Sequence, residues 1–148
     1  MKIVAQNRKA TFEYFILDTF EAGIKLTGTE IKSVRQGKIN INDAYVIIRN
    51  NTPYILNMHI AKYEKGTVYN HEETRTRELL LHKHETIKLY NKVKLDGLAL
   101  VATKAYFKEG LLKIEVALCR GKKLYDKREA IKEREQKIKI AKKEYNKY

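Results

Sequence analysis

Histidine and cysteine are the first residues to consider, because both can bind a metal ion. The chain has four histidines; His82 and His84 lie two residues apart, and His71 precedes them in a polar stretch. Cys119 is the single cysteine, so no Cys-x-x-Cys pair exists, and no two histidines have His-x-x-x-His spacing. The sequence therefore predicts ordinary surface or loop histidines, with no metal site and no cofactor.

Carboxylates are the second group that could do chemistry. Glu13, Asp18 and Asp43 are scattered singly, whereas a metal-dependent nuclease needs several carboxylates close together. The sequence also lacks a G-x-S-x-G nucleophile elbow, a P-loop and a G-x-G-x-x-G phosphate loop. Carboxylates distant in sequence can assemble in space, so an RNA-processing enzyme stays open as an alternative. The sequence favours a binding protein that is not an enzyme.

Basic and aromatic side chains indicate what such a protein would bind. The chain has 31 Lys or Arg against 18 Asp or Glu, a formal net charge of +13. Such a surplus repels itself in a folded protein, and a nucleic acid is its natural counterweight; the alternative is a basic protein without such a partner. Tyrosines beside basic residues offer rings on which unpaired bases stack. The candidate phosphate contacts are Arg8, Lys9, Lys32, Arg35, Lys38, Arg75, Arg77, Lys122 and Lys123, and the candidate stacking residues are Tyr63, Tyr69 and Tyr125.

Length and hydropathy bound the class of protein. A chain of 148 residues fits one domain, and 43% hydrophobic residues suffice for a core. One cysteine fits a reducing compartment. The residues after Met1 include no apolar core of signal-peptide length, and no run approaches the roughly 20 apolar residues of a membrane span. We expect a soluble, cytoplasmic protein without a membrane partner.

Most of the chain before residue 120 reads as short strands. Asn50-Asn51 and Lys108-Glu109-Gly110 each separate two β-prone runs, as hairpin turns do, and residues 21–23 are predicted to turn a first strand into a second. In the run 52–60, alternation predicts one face holding Tyr54, Leu56, Met58 and Ile60. The predicted strands are 11–20, 24–26, 43–49, 52–60, 98–107 and 111–119.

Two short helices and one long loop complete this region. Thr27 can cap a helix over 30–36 that Gly37 ends, and a second helix is predicted from residue 84 to about 93, with Gly97 beyond it. Residues 61–76 are polar and predict a surface loop. Antiparallel strands with small helices favour a mainly β fold, first an OB-like antiparallel barrel and second a sandwich.

Residues 120–148 differ in character from the rest. They hold 12 Lys or Arg against five Asp or Glu, and their apolar side chains Leu124, Ile131, Ile138 and Tyr145 recur only every seven residues. So narrow an apolar stripe cannot hold a helix on a core. We therefore predict an OB-like barrel over 1–119 and a basic C-terminal tail over 120–148, disordered alone and helical on a partner. The alternative is a solvated tail helix without a role.

Several blocks of the sequence resemble the SsrA-binding protein (small protein B) family. The run GKKLYDKRE at 121–129, followed by AIKERE, is similar to the family signature. Further blocks resemble the family in the same order along the chain: NRKA at 7–10, EYFI at 13–16, EAGIKLTGTEIKS at 21–33, GKININDAYV at 37–46 and NHEETRTRELLLHK at 70–83.

The resemblance implies a fold and a function. It implies an OB-like barrel with flanking helices that holds the tRNA-like domain of transfer-messenger RNA. It also implies that the tail occupies the decoding centre and the empty mRNA channel of a stalled ribosome during trans-translation, the rescue of that ribosome. Elongation factor Tu is a further implied partner, reached through the charged transfer-messenger RNA. A general binder of single-stranded RNA is the competing hypothesis within the same fold.

The resemblance also implies two sets of contact residues. Glu21 is expected to accept a hydrogen bond from a base edge or hydroxyl, because a phosphate would repel it; the alternatives are a turn residue for Glu21 and a core residue for Leu80. The residues implied for transfer-messenger RNA are Asn7, Arg8, Glu21, Ala22, Gly23 and Leu80. Those implied for the decoding centre are Gly121, Lys122, Lys123, Tyr125, Asp126, Lys127 and Arg128.

Overall fold

Strands dominate the computed structural model, which describes residues 1–66 and 70–122. Within these residues there are nine strands and three helices. In chain order they are β1 (Lys2–Gln6), α1 (Lys9–Glu13), β2 (Tyr14–Ile24), α2 (Gly28–Arg35), β3 (Ile39–Asn40), β4 (Tyr45–Arg49), β5 (Thr52–Leu56), β6 (His59–Ile60), β7 (Arg77–Leu80), α3 (Lys83–Asp96), β8 (Ala99–Lys108) and β9 (Leu111–Gly121).

The strands close into a barrel. In the described part of the chain the order β8-β4-β5-β7-β2-β9 returns to β8 through the β8–β9 pairing, and every pairing is antiparallel. Strand β1 pairs with β8 beyond the end of β4, and β3 with β6 forms a separate small ladder. Closure removes the exposed edges that an open sheet would present. The mainly β, OB-like antiparallel barrel with short flanking helices is therefore confirmed, whereas the predicted tail beyond Lys122 lies outside the described residues.

Local signals placed two hairpins and two helices correctly. Asn50 and Asn51 have φ of 51° and 60°, and Glu109 and Gly110 have φ of 53° and 77°, so both predicted tight turns are confirmed. Helix α2 begins at a capping box in which Thr27 and Glu30 bond each other's backbone N–H. Helix α3 ends at Asp96, three residues later than predicted, and Gly97 caps it in the left-handed conformation.

The predicted turn at residues 21–23 is wrong. Strand β2 runs straight through it for 11 residues, whereas residues 9–13, partly predicted as strand, form α1. The reason is pairing on both edges: Gly23 lies opposite Lys113 of β9 and also opposite Leu80 of β7. Hydrogen bonds to two neighbours hold this segment extended although its composition suits a turn.

The predicted face of residues 52–60 is wrong in its first half. Ile55 is buried, as are Met58 and Ile60, whereas Tyr54 and Leu56 are half-buried. Asn57 has φ of 58°, which ends β5 and shifts the alternation by one residue. Alternation therefore predicts facing only while the strand stays regular.

Side chains fill the barrel and one patch outside it. Ile55, Ile114 and Val116 lie fully buried inside the barrel, and Leu89 of α3 packs against the same core. Outside, Ala10 of α1 covers a second cluster with Val101, Ala117 and Cys119 of β8 and β9. Burial raises the pKa of the Cys119 thiol to about 11. Helix α1 thus shields part of the outer wall from solvent.

A buried ion pair connects α2 to β7. The side chains of Glu30 and Arg77 are both fully buried, and Arg77 Nε donates to Glu30 Oε2. Arg77 Nη1 donates to the Met58 carbonyl at 2.7 Å, and its Nη2 donates to the Glu73 carbonyl at 3.1 Å. Arg75 Nη2 donates to the other Glu30 oxygen at 2.6 Å. The expectation that Arg77 contacts phosphate is therefore wrong: its guanidinium holds protein groups inside the fold.

Replacing Arg77 with Met should destabilise the protein by about 3–5 kcal/mol, because a buried carboxylate then loses a buried partner. The measurement is the free energy of unfolding in urea, followed by circular dichroism. Lys25→Met is the matched control, because it breaks the exposed Lys25–Glu78 pair at 2.9 Å and should cost only about 0–1 kcal/mol. Equal losses in the two variants would contradict the assigned role.

Acid should weaken the same pair. Burial alone would raise the pKa of Glu30, but the bonds from Arg75, the Thr27 backbone and Arg77 hold that pKa below its ordinary value. The pair therefore stabilises the fold above the unfolded pKa of about 4.3, and this stability disappears as the pH falls through the folded pKa. In Glu30→Gln, the free energy of unfolding should therefore decrease less with falling pH than in the wild-type protein. The measurement is urea unfolding repeated across this pH range.

Candidate nucleic-acid interface

Four residues line up across the outer wall of the barrel. Leu80 of β7, Gly23 of β2, Lys113 of β9 and Tyr106 of β8 lie opposite one another in successive strand pairings. Ala22 is fully buried in the core, so strand alternation turns its neighbours Glu21 and Gly23 outward. We call the outward group Glu21, Gly23, Leu80, Tyr106 and Lys113 the Gly23 surface.

Gly23 lets the side chain of Leu80 lie close against its backbone, beside an apolar cleft. A Cβ at Gly23 would lie 3.3 Å from Leu80 Cβ, tighter than an ordinary contact. Leu80 is 50% exposed and Leu111 is 61% exposed, and both line a cleft of about 280 Å³ together with Ile31. The reading of Leu80 as a plain core residue is wrong. The cleft offers apolar contact to a flat group lying beside Leu80.

Glu21 carries a negative charge on this positively charged protein. Tyr106 Oη donates to Glu21 Oε2 at 2.5 Å, and Lys108 Nζ lies 3.4 Å from the same oxygen. The hydrogen bond from Tyr106, followed by the charges of Lys108 and Lys113, lowers the pKa of Glu21, whose side chain is 39% exposed. None of the described residues donates to Glu21 Oε1. This oxygen can therefore accept a hydroxyl or an amino hydrogen from a ligand.

Asn7 and Arg8 lie apart from the Gly23 surface. The Asn7 backbone N–H donates to the Thr103 carbonyl at 2.8 Å and its side-chain Nδ2 donates to the Ala102 carbonyl at 3.0 Å, while Arg8 is exposed. Asn7 Oδ1 is buried without a hydrogen-bond partner among the described residues. It borders a cleft of about 190 Å³ that Tyr14 and Tyr45 also line. The structure thus divides the expected RNA contacts into two places.

The start of the predicted tail is fastened to the barrel. Gly121 lies within β9, opposite Tyr14, rather than after the last strand as predicted. The Lys122 backbone N–H donates to the Glu13 carbonyl at 2.9 Å, and Lys122 Nζ donates to the Thr11 carbonyl at 3.2 Å. The predicted contacts that lie outside the described residues are Tyr69, Lys123, Tyr125, Asp126, Lys127 and Arg128.

Two cations flank an aromatic ring beside the tail. The Arg120 guanidinium lies 4.6 Å from the centre of the Phe15 ring, and Lys122 Nζ lies 4.9 Å from it. Sequence reasoning missed Phe15 here, because the pairing of Phe15 with Arg120 needs the β2–β9 register. It likewise missed Lys108 and Lys113, which alternation marks only as solvent-facing. Their positions beside Glu21 depend on the same register.

Other predicted contacts have partners within the protein. Lys38 Nζ bonds Glu64 at 2.9 Å, and Lys32 Nζ lies 5.4 Å from the centre of the Tyr63 ring. Both interactions are partly exposed, so an incoming RNA would have to compete with them. Arg35 and Lys9 are exposed.

The histidines have structural roles where they are buried. His71 Nε2 bonds the Ile60 carbonyl and Nδ1 bonds the Thr29 hydroxyl, both at 2.9 Å, whereas His82 and His84 are exposed and stack on each other. Across residues 1–66 and 70–122, no three His, Cys, Asp or Glu side chains come together as a metal site would require. No helix in the same part of the chain is both long enough and apolar enough to cross a membrane.

Comparisons with known proteins indicate the family to which this barrel belongs. The family model described as SmpB protein matches residues 4–146. The chain is 54% identical over 137 residues to the SsrA-binding protein of Trichodesmium erythraeum, covering 92% of this chain and 88% of that protein. It is 52% identical over 142 residues to the SsrA-binding protein of Thermoanaerobacter pseudethanolicus, covering 96% and 91%.

A solved structure is similar along most of its length. It is described as "tmRNA-SmpB: a journey to the center of the bacterial ribosome", and the match has a TM-score of 0.70 and 44% identity over 88% of this chain and 95% of that one. The family match and the structural match thus agree. The protein belongs to the SmpB family of SsrA-binding proteins.

Proposed function

We propose that this chain binds the tRNA-like domain of transfer-messenger RNA and delivers it to stalled ribosomes for trans-translation. The observation that carries the proposal is the match, at 44% identity and a TM-score of 0.70, to a structure described by its tmRNA, its SmpB and the bacterial ribosome. A net charge of +13 supplies the attraction that any RNA partner needs. Because the proposed action is on ribosomes, the proposed location is the cytoplasm.

In this proposal the Gly23 surface makes one RNA contact. Lys113 and Lys108 neutralise phosphates, and Leu80, which lies against the backbone of Gly23, packs against a ribose or a base. Glu21 accepts a hydrogen bond through Oε1, a contact that phosphate cannot make. Ala22 acts from within, because its buried side chain fixes the outward direction of the residues on either side. Asn7 and Arg8 form a second contact, with the buried acceptor of Asn7 beside the exposed Arg8 cation.

The proposed tail, residues 120–148, serves the ribosome. Lys122 fixes where it leaves the barrel, beside Phe15. The residues assigned to the decoding centre are Gly121, Lys122, Lys123, Tyr125, Asp126, Lys127 and Arg128. The tail becomes helical in the mRNA channel, with Tyr125 stacking on a base and the cations facing ribosomal RNA.

The protein acts here by binding alone and performs no catalysis. Its role is to hold one RNA against another, and any contact with elongation factor Tu is made through the charged transfer-messenger RNA. An RNA-processing enzyme would instead cleave or modify labelled RNA when given a divalent metal.

Binding in gel-shift competition should favour the tRNA-like domain over bulk tRNA and over unstructured RNA. Glu21→Gln should reduce the affinity for that domain by about tenfold or more, because a hydrogen bond to a charged acceptor is worth roughly 1.5–3 kcal/mol. Lys25→Gln, which removes another exposed charge one residue beyond the end of β2, should change affinity less. A preference for unstructured RNA would instead indicate a general single-strand binder.

Deleting residues 125–148 should leave the affinity for transfer-messenger RNA nearly intact and abolish peptide tagging on stalled ribosomes. The physical reason is that the Gly23 surface lies wholly within the barrel, whereas the decoding contacts lie in the tail. Affinity is measured by gel shift, and tagging by incorporation of the tag in a reconstituted translation system. A deletion that destroys RNA affinity would refute this division of labour.

A further inference from the structure

We propose that Tyr106 is a positioning residue for RNA recognition: its hydroxyl binds one oxygen of the Glu21 carboxylate and so presents the other oxygen to the RNA. This inference rests on the proposed function. It assigns a role to a residue that the sequence analysis did not identify as a contact. Tyr106 lies on β8, Glu21 lies on β2, and β9 runs between them. The contact therefore spans a whole strand.

Tyr106 is a rigid anchor. It is only 6% exposed, and its backbone lies opposite Ile3 of β1 on one side and Lys113 of β9 on the other. Strands on both edges fix the position from which its hydroxyl donates to Glu21 Oε2 at 2.5 Å. A ring held in this way gives the carboxylate one orientation.

Glu21 needs such an anchor because cations surround it. Lys108 Nζ lies 3.4 Å from Oε2, and the charge of Lys113 also acts on the carboxylate. Lys108 already pairs with Oε2, so without the hydroxyl the carboxylate could fold onto the Lys113 ammonium group as well and withdraw that second cation from phosphate. The neutral Tyr106 hydroxyl holds the carboxylate without engaging Lys113. Burial and the nearby Glu21 carboxylate raise the pKa of Tyr106, so its hydroxyl remains a donor at neutral pH.

The bond from Tyr106 strengthens RNA binding by fixing the Glu21 carboxylate before the RNA arrives. A free glutamate side chain loses rotamer freedom when it binds a ligand, and this loss weakens binding. The Tyr106 hydroxyl removes that freedom in advance, before RNA arrives. The expected ligand group is a hydrogen-bond donor of the RNA, either a ribose hydroxyl or the amino group of a base. A phosphate does not fit, because it carries no donor.

The test is a double-mutant cycle on the full chain, with the tRNA-like domain and bulk tRNA as the RNA probes. Tyr106→Phe keeps the ring and removes the hydroxyl, and it should weaken binding to the tRNA-like domain by about three- to tenfold. In a Glu21→Ala background the same change should have no further effect, because its target is already gone. Binding to bulk tRNA should change less than twofold.

Thr103→Val is the matched control. Thr103 Oγ1 donates to the carboxylate of Glu115 at 2.7 Å, so this change also removes a hydroxyl from a hydroxyl–carboxylate pair on β8 and β9. It should leave the affinity for the tRNA-like domain within twofold. Urea unfolding of both variants shows whether they lose similar stability. Equal losses of affinity in the two variants would overturn the proposal, since they would trace the effect to the sheet rather than to Glu21.

A second readout does not involve RNA. In the free protein, Tyr106→Phe should raise the pKa of Glu21, followed by NMR titration of its carboxyl carbon, whereas Thr103→Val should not. An unchanged pKa, or an affinity loss that persists in Glu21→Ala, overturns the positioning role while the proposed function stands. Wild-type protein without preference for the tRNA-like domain overturns both. The outcomes are thus distinguishable.

Discussion

The guanidinium of Arg77 is the constraint on which the barrel wall depends. It is fully buried, pairs with Glu30 of α2 and donates to backbone carbonyls of Met58, Glu72, Glu73 and Arg75. One side chain thus joins a helix, the connection between β5 and β6, and the long loop before β7. Strand β7 is only four residues long, and it begins at Arg77 and ends at Leu80. The exposed position of Leu80 beside Gly23 therefore follows from a charge pair buried several residues away.

In the proposed RNA complex, affinity and specificity come from different residues. Cations distributed over a protein of net charge +13 attract any RNA, whatever its sequence. Glu21 repels phosphate, so in that complex its charge costs attraction that a specific hydrogen bond would offset. Gly23 allows the Leu80 side chain to lie against its backbone, since a Cβ there would lie only 3.3 Å from Leu80 Cβ. The carboxylate and this apolar edge on one sheet face would select the RNA, whereas the surrounding lysines would supply the strength of binding.

Sequence signals predicted the structural features that depend only on neighbouring residues, namely a helix cap and two hairpin turns. The capping box at Thr27 and the left-handed turns at Asn50-Asn51 and Glu109-Gly110 need no distant partner, and the structure confirms them. Strands β1 and β7 were not recognised, and residues 21–23 were taken for a turn, because their pairing lies far away in sequence. The site divides in the same way: family resemblance supplied Glu21 and Leu80, whereas Tyr106 and Lys113 join them only through strand register.

The β2–β9 ladder also determines the distance between the proposed RNA contact at the Gly23 surface and the start of the proposed ribosome-binding tail. Its pairings run from Gly23 opposite Lys113 at one end to Tyr14 opposite Gly121 at the other. At about 3.3 Å per residue, these ends lie roughly 30 Å apart. The Gly23 surface and the point where the tail begins are thus held at a set separation by one pair of hydrogen-bonded strands. In the proposed function, the barrel holds one RNA while the tail reaches into a ribosome, and this requires a rigid separation between the two contacts. Lys122 extends this rigidity to the start of the tail, because it bonds the carbonyls of Glu13 and Thr11.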